Sequence, residues 1–266
     1  MPSMTSYRHG VPNWVDVSAP DVDAGVAFYA AVFGWDATPD MGPDAGGYRL
    51  FLLDGRPVAG IGPLHEGQPS WTTYVNVTDV DATVARVPAL GGTVVVPPMD
   101  LPNDSGRMAF ALDPTGGFFG MHQAGANHIG AAVVNEPGAV AWNELTVRDV
   151  ATATAFYDAL FGWTTSPMDP SEMAGYQLVN VDGRAVAGVM AMTDDFPADA
   201  PTAWTTYFAV ADLADTVARC TAAGGGVVMP PFDTPVGQMA VVHDTAGGVF
   251  ALGQFIAIDD PNDWPS

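Results

Sequence analysis

The pattern of hydrophobic and polar residues repeats itself about halfway along this chain. The segment AFYAAVFGW at residues 27–35 returns as AFYDALFGW at residues 155–163. The offset is 157 − 29 = 128 residues in a chain of 266. In each copy the apolar side chains follow helical spacing, and a glycine stands where the helix is expected to end. The chain therefore holds two copies of one design, each with an amphipathic helix.

Strand-like runs surround the first helix. Residues 13–17 alternate between two faces, and Asp21 or Asp23 suits the N-cap of a helix that ends at Phe33. A loop is expected at 36–46. The dipeptide Asp54-Gly55 separates two further strand-like runs and predicts a hairpin.

A second unit of the same kind follows within each half. Its strand at 71–77 leads to a helix predicted from Asp79 to about Leu90, and then to strands at 93–96, 106–112 and 117–123. We expect the pair Pro97-Pro98 to break the first of these.

The four strand–helix–strands units predict an α+β architecture with curled, mostly antiparallel sheets that can enclose a cup. We place the first domain at 10–124, a linker at 125–137 and the second domain at 138–257. Which units pair to form each cup stays open at this point.

Composition narrows the classes of partner. The formal net charge is −22 and every basic residue is an arginine. Nucleic acids and anionic membranes need clustered positive charge, so neither is an expected partner. No apolar run approaches the roughly 18 residues of a membrane helix, and residues 1–10 lack the apolar core of a signal peptide. A lone cysteine, Cys220, fits a reducing compartment, so we expect a cytoplasmic protein.

The order of motifs resembles the vicinal oxygen chelate superfamily, which includes glyoxalase I, extradiol dioxygenases and bleomycin-resistance proteins. The resemblance rests on the repeated helix end, on the segment VTDVD at 77–81 and on the turn DPTGG at 113–117, and it covers about residues 10–257. It implies βαβββ units that form two glyoxalase-like domains. The chain looks most like two-domain glyoxalase-like proteins often labelled hydroxylases, some of which accompany polyketide antibiotic pathways.

The resemblance also implies where metal ligands would stand. Family enzymes carry one ligand in the first strand of a unit and one in its closing strand. The matching positions here are Trp14, Trp142, Thr72, Thr205, Ala59, Gly120, Ala187 and Ala251. None is His, Glu, Asp or Gln, the side chains that hold divalent metals in this family. We therefore expect no metal and no other cofactor.

Aromatic and acidic side chains are expected in the cups instead. Strand alternation puts Asp16 beside Trp14 and Glu144 beside Trp142, and the small residues at the ligand positions should leave room. The candidate ligand-binding residues are Trp14, Asp16, Thr72, Tyr74, Asn76, Phe118, His122, Trp142, Glu144, Thr205 and Tyr207. Twelve methionines would add adaptable surface where they line a pocket.

These residues also have structural interpretations. Trp14 and Trp142 could be core residues. Arg49, Arg107 or backbone donors could satisfy Asp16 and Glu144, since a half-buried carboxylate needs a partner. His122 could simply be hydrogen-bonded.

Three functions remain. The first is a metal-free module that binds a hydrophobic, aromatic small molecule, with a cationic ligand as an option because carboxylates lie beside indoles. The second is a metal-free enzyme in which Asp16, Glu144 or His122 moves protons on an aromatic polyketide. The third is a glyoxalase- or dioxygenase-like metalloenzyme with displaced ligands. The two-domain chain mimics a family dimer, so a monomer or a homodimer fits.

Overall fold

The computed structural model describes residues 3–39 and 45–256. Residues 40–44 of the predicted loop at 36–46 lie outside these ranges, and Asp36–Ala37, at the start of that loop, forms a short strand instead. The helices are α1 Val22–Phe33, α2 Val80–Val84, α3 Val150–Phe161, α4 Pro170–Met173 and α5 Leu213–Ala222. The first eight strands are β1 Pro12–Ala19, β2 Asp36–Ala37, β3 Arg49–Leu53, β4 Arg56–Pro63, β5 Trp71–Asn76, β6 Thr93–Asp100, β7 Gly106–Leu112 and β8 Phe118–Ala124. The second eight are β9 Val140–Val147, β10 Thr164–Pro167, β11 Tyr176–Val181, β12 Arg184–Ala191, β13 Ala203–Ala209, β14 Gly226–Thr234, β15 Gly237–His243 and β16 Val249–Phe255.

Each half forms its own eight-stranded sheet. The orders are β2-β3-β4-β1-β5-β8-β7-β6 and β10-β11-β12-β9-β13-β16-β15-β14. Neighbouring units join edge to edge through the antiparallel pairs β1–β5 and β9–β13. The predicted α+β class with four βαβββ units is confirmed, and the pairing that the sequence left open is between adjacent units of one half.

Local signals account for the ends of the first helix and the hairpin. The Asp21 side chain accepts a hydrogen bond from the Ala24 backbone N–H at 3.0 Å, and Gly34 ends the helix with φ 74°. Asp54 and Gly55 both adopt positive φ, at 50° and 74°, as a tight two-residue hairpin turn requires. These three predictions are confirmed.

Two predictions about where elements end near prolines are wrong. The helix expected to reach Leu90 ends at Val84 and gives way to a 3-10 turn over Pro88–Leu90, because proline cannot donate the helical hydrogen bond. Conversely, β6 runs through Pro97-Pro98 to Asp100. It is an edge strand, so one side of its backbone pairs with no other described strand, and a proline that lacks an N–H on that side costs no hydrogen bond. Its register with β7 also shifts between Val96 and Met99.

The hydrophobic cores join the two halves. In one core the α1 residues Phe28 and Val32 pack in the same cluster as Phe208 and Phe250 of the second half. A second core joins the second unit of the first half to the first unit of the second half in the same way. The helices therefore lie between the sheets, and each half completes the core of the other.

A buried hydrogen-bond chain links α1 to the second half, and an equivalent chain links α3 to the first half. The Tyr29 hydroxyl donates to Asp244 Oδ2 at 2.8 Å and accepts from the Trp71 indole at 3.0 Å. The second copy repeats this arrangement with Tyr157, which donates to Asp113 Oδ2 at 2.9 Å and accepts from Trp204 at 3.0 Å. We call each set a cross-half triad. Three repeated sequence features meet in it: the helix tyrosine, the tryptophan of the segment WTTY at 71–74 and 204–207, and the turn aspartate.

Removing a tyrosine hydroxyl from a cross-half triad should destabilise the whole chain. Tyr29→Phe or Tyr157→Phe leaves a buried carboxylate without one donor, and we expect a loss of about 1–3 kcal/mol in the free energy of unfolding. Urea unfolding measures it. Asp23→Asn, which removes the ion pair between a largely exposed carboxylate and Arg49, serves as a control with an expected effect below about 1 kcal/mol. Equal effects in control and triad variants would contradict the prediction.

Candidate ligand-binding site

The sheet face opposite the helices carries a polar floor in the first half, which we call the first cup. The Trp14 indole donates to the Tyr48 hydroxyl at 2.9 Å, and that hydroxyl donates to Asp16 Oδ2 at 3.0 Å. The Tyr74 hydroxyl donates to the same oxygen at 2.7 Å. Burial raises the pKa of Asp16 to about 6, although both tyrosine hydroxyls act in the opposite direction.

The corresponding face of the second half, the second cup, has the same design. The Trp142 indole donates to the Tyr176 hydroxyl at 2.7 Å, and the Tyr207 hydroxyl donates to Glu144 Oε1 at 2.9 Å. Glu144 is buried, which raises its pKa against the effect of the Tyr207 and Tyr176 hydroxyls. In both cups phenols satisfy the carboxylate. The arginines considered as partners of Asp16 and Glu144 pair with other carboxylates: Arg49 with Asp23, and Arg107 with Asp81 and Asp100.

A glycine makes room for the tyrosine on each floor. A Cβ at Gly60 would lie 1.9 Å from the Tyr48 hydroxyl, and a Cβ at Gly188 would lie equally close to that of Tyr176. Neither tyrosine was predicted from the sequence as a site residue, although the two are related by the repeat offset of 128 residues (176 − 48). That recurrence beside two strands was the available signal.

The expected cup positions Ala59 and Ala187 are wrong. Both side chains lie in the cores on the helix side, and Gly60 and Gly188 face the cups instead. The cause is a register shift in the β3–β4 and β11–β12 hairpins, because the extra residue displaces the alternation by one position. Hairpins β7–β8 and β15–β16 pair without a shift. There Gly120 packs against Tyr74, and Ala251 joins the cluster of the second cup.

The two cups differ in what fills them. Residues that follow β8 enter the first cup: the His128 ring packs edge-on to Trp14 with centroids 4.5 Å apart, and Ala131 is buried with Trp14 and Tyr74. Backbone bonds hold this segment, with Ala131 N–H donating to the Asn13 carbonyl at 2.8 Å. The second cup holds a cavity of about 240 Å³.

Flexible apolar side chains line the cavity of the second cup. Its floor is formed by Trp142, Glu144, Tyr176 and Tyr207. Five methionines stand around that floor with Phe196, Phe232 and Phe255. The methionines are Met168, Met173, Met190, Met229 and Met239. Thioethers adapt their shape and contact aromatic rings favourably, so this cavity can accept a flat apolar molecule.

The remaining candidates lie around the cup floors. Thr72 pairs with Asp16 across β1–β5, and Thr205 pairs with Glu144 across β9–β13. Phe118 is 37% exposed and stacks on Phe110 with centroids 5.3 Å apart, at the edge of the first cup.

His122 and Asn76 are occupied by structural bonds. His122 is buried, with Nδ1 2.9 Å from the Asn13 amide nitrogen and Nε2 3.2 Å from the Ser105 carbonyl. Burial lowers its pKa. The Asn76 amide donates to the Tyr7 and Arg8 carbonyls at 3.0 and 3.1 Å. A second histidine, His128, also lies in the first cup, where it reaches Trp14 from the predicted linker.

Comparison with known proteins decides the family. The model described as "Glyoxalase/Bleomycin resistance protein/Dioxygenase superfamily" matches residues 11–119 and 127–261. The chain belongs to this superfamily. The resemblance drawn from the repeated motifs is therefore confirmed.

Full-length relatives of this superfamily member include proteins of two kinds. The chain is 41% identical over 259 residues to "Putative glyoxylase CFP32" of Mycobacterium tuberculosis, covering 95% of this chain and 97% of that protein. It is 36% identical over 266 residues to "Anthracycline biosynthesis protein DauV" of Streptomyces sp. (strain C5), covering 94% of each.

Solved structures share the fold. A Mn(II)-bound glyoxalase from Novosphingobium aromaticivorans has a TM-score of 0.66 at 17% identity, covering 95% of this chain and 85% of the other. The 2,3-dioxygenase LapB from Pseudomonas sp. KL28 has a TM-score of 0.65 at 14% identity, covering 96% of each. Separately, the described helices include none that is long and apolar enough to span a membrane.

The residues of the cup floors do not fit the metal of the superfamily's metalloenzymes. Each floor offers one carboxylate, Asp16 or Glu144, already bonded to phenols. Over residues 3–39 and 45–256 no three His, Cys, Asp or Glu side chains gather as a set of metal ligands. Indole and methyl groups are no ligands, and a divalent cation needs several imidazole, carboxylate or thiolate donors.

Asp16 should make stability fall with rising pH. Its folded-state pKa of about 6 exceeds the usual 3.8, so the folded state favours the protonated acid. This contribution is complete below pH 3.8 and is lost as the pH rises through 6. Denaturant unfolding should therefore show wild type losing about 1–3 kcal/mol relative to Asp16→Asn between these limits. A wild type that gains stability relative to the variant with rising pH would contradict the prediction.

Proposed function

We propose that this protein binds a hydrophobic, aromatic small molecule in its second cup without a metal. The observation that supports this most is the cavity of about 240 Å³ over the Trp142–Tyr176 pair, walled by methionines and phenylalanines. An engineered protein cavity of about 150 Å³ binds benzene, so the second cup has room for more than one ring. Because the first cup holds residues of the chain itself, we propose one ligand per chain.

The polar groups on the floor would orient the ligand. Trp142 and the tyrosines present flat faces for stacking. Glu144 is the charged group of the cavity lining, and it accepts a hydrogen bond from Tyr207 at 2.9 Å. An ionised Glu144 would favour a ligand with a cationic or hydrogen-donating substituent near Trp142.

The relatives suggest the chemical class. DauV and the similar DnrV of Streptomyces peucetius, 35% identical over 266 residues, are named anthracycline biosynthesis proteins. Anthracyclines are flat, multi-ring polyketides, and a cavity of aromatic and thioether side chains suits that shape. We therefore propose an aromatic polyketide, held in a sequestering or accessory role. Since the two halves already complete one another's cores, we propose the monomer as the functional unit.

A metal-free enzyme is the second candidate, and Glu144 is the observation that favours it. A buried carboxyl whose pKa is raised by burial, beside an apolar cavity, is suited to general acid–base chemistry. Glu144 would then take or give the proton while Tyr207 holds its Oε1 in position. Asp16 and His122 are weaker candidates, because linker residues fill the first cup and His122 bonds Asn13.

Binding should depend on the second cup alone. Trp142→Ala should weaken affinity for a neutral planar hydroxyanthraquinone by at least about tenfold, or 1.4 kcal/mol, because a stacking face is lost. Trp14→Ala is the matched control, since Trp14 has the same position in the filled cup. The visible absorbance of the ligand reports binding without tryptophan fluorescence. Equal affinity in both variants, or a stoichiometry of two, would contradict the proposal. An anthracycline with an aminosugar tests the preference for a cation.

Turnover separates the two candidates. If Glu144 moves a proton, Glu144→Gln should abolish conversion of a bound polyketide while changing affinity by less than about tenfold, because the amide keeps the shape of the side chain. Mass spectrometry of single-turnover mixtures detects the product. Unchanged conversion in Glu144→Gln would exclude the acid–base role, and no conversion by wild type would leave the binding proposal.

A further inference from the structure

Among the positions where the internal repeat changes charge is one that forms an ion pair in the first half. The offset of 128 residues relates Arg56 to Arg184 and Arg8 to Glu136. In the first half Arg56 Nη2 lies 3.7 Å from Glu136 Oε2. The corresponding pair in the second half is Arg184 and Arg8, so two cations take the place of an ion pair. The repeat holds structurally at this point, because the Trp35 indole donates to the Gly138 carbonyl as Trp163 donates to that of Gly10.

Both arginines line one cavity. It has a volume of about 480 Å³ and lies between the N-terminal arm, β9 and the β11–β12 hairpin. Arg8 bonds Asp182 at 2.9 Å, and both of these side chains are 65% exposed. Arg184 is exposed on the hairpin and has no hydrogen bond or ion pair with any residue in the described ranges.

Arg184 differs in this from the other arginines of the chain. Arg8, Arg49, Arg56, Arg107 and Arg219 pair with carboxylates, and Arg86 and Arg148 donate to backbone carbonyls. In a chain with a net charge of −22, carboxylates are abundant and arginines number eight. At this cavity Arg8 has a carboxylate partner and Arg184 has none among the described residues, which leaves a local excess of positive charge that an anion would neutralise.

We propose that this cavity binds a small organic anion that carries a phosphate or carboxylate group between Arg8 and Arg184. Guanidinium groups bind both oxyanions in a bidentate fashion. The volume of about 480 Å³ leaves room for an organic body beside the oxyanion, against Val11, Val140 and Val186. This cavity is distinct from the one proposed for the aromatic ligand, although Trp142 lines both.

Asp182 is an internal competitor for the anion. Its carboxylate occupies Arg8 Nη1, so an anion must share or displace it. Asp182 has φ 51° in a two-residue turn, a conformation that asparagine also adopts readily. Asp182→Asn therefore removes the competing charge while preserving the turn.

Isothermal titration calorimetry at low ionic strength tests the site. Glycerol 3-phosphate and succinate are titrated separately, which distinguishes the phosphate from the carboxylate source. Saturable binding of one or both is expected. Arg184→Gln and Arg8→Gln should each weaken it at least about tenfold, and Asp182→Asn should strengthen it.

Arg56→Gln is the matched control, because it neutralises the corresponding arginine of the other half and should leave anion affinity unchanged. Thermal unfolding verifies that each variant is folded. The proposal is overturned if neither probe binds saturably, or if Arg184→Gln binds as wild type does. Because the probes carry no aromatic ring, either result leaves the proposal for the second cup untouched.

Discussion

The structure depends on the two tyrosine–aspartate bonds that cross between its halves. Asp113 and Asp244 are 3% exposed, and each uses its other carboxylate oxygen to hold its own turn together. The helix tyrosine of the opposite half completes the set. Separating the halves would remove the tyrosine donor from each aspartate and expose the apolar residues of both shared cores to water, so each half stabilises the other. The repeated motifs therefore mark one shared interface rather than two independent ones.

The carboxylates of the cup floors are likewise hydrogen-bonded by tyrosine side chains. Strands β1, β4, β5 and β8 stand side by side in the first half, where two phenols donate to the Asp16 carboxylate and the Trp14 indole donates to one of those phenols. The glycine at position 60 is part of the arrangement, since any side chain there would displace Tyr48. In the second cup a similar polar network lies beneath an apolar cavity.

Local chemistry was predictable from the sequence, and non-local geometry was not. Asp21, Gly34 and Asp54-Gly55 act within a few residues, so their roles follow from backbone preferences alone. Gly60 rather than Ala59 faces the first cup because of a β-bulge, which strand alternation in the sequence cannot reveal. The placement of His128 against Trp14 depends on where the residues after β8 travel, which no periodic pattern records. The candidate floors were found because alternation holds within β1, β5, β9 and β13.

The segment that fills the first cup is part of the same chain, so a free ligand would have to compete with a covalently attached occupant. A tethered occupant loses no translational freedom on docking and is present at an effective concentration of the order of millimolar, however dilute the protein. A free molecule would have to exceed that level or bind far more tightly to displace it. The two copies of the repeat thus share one scaffold but differ in access, since one cup is filled by its own chain and the other holds a cavity.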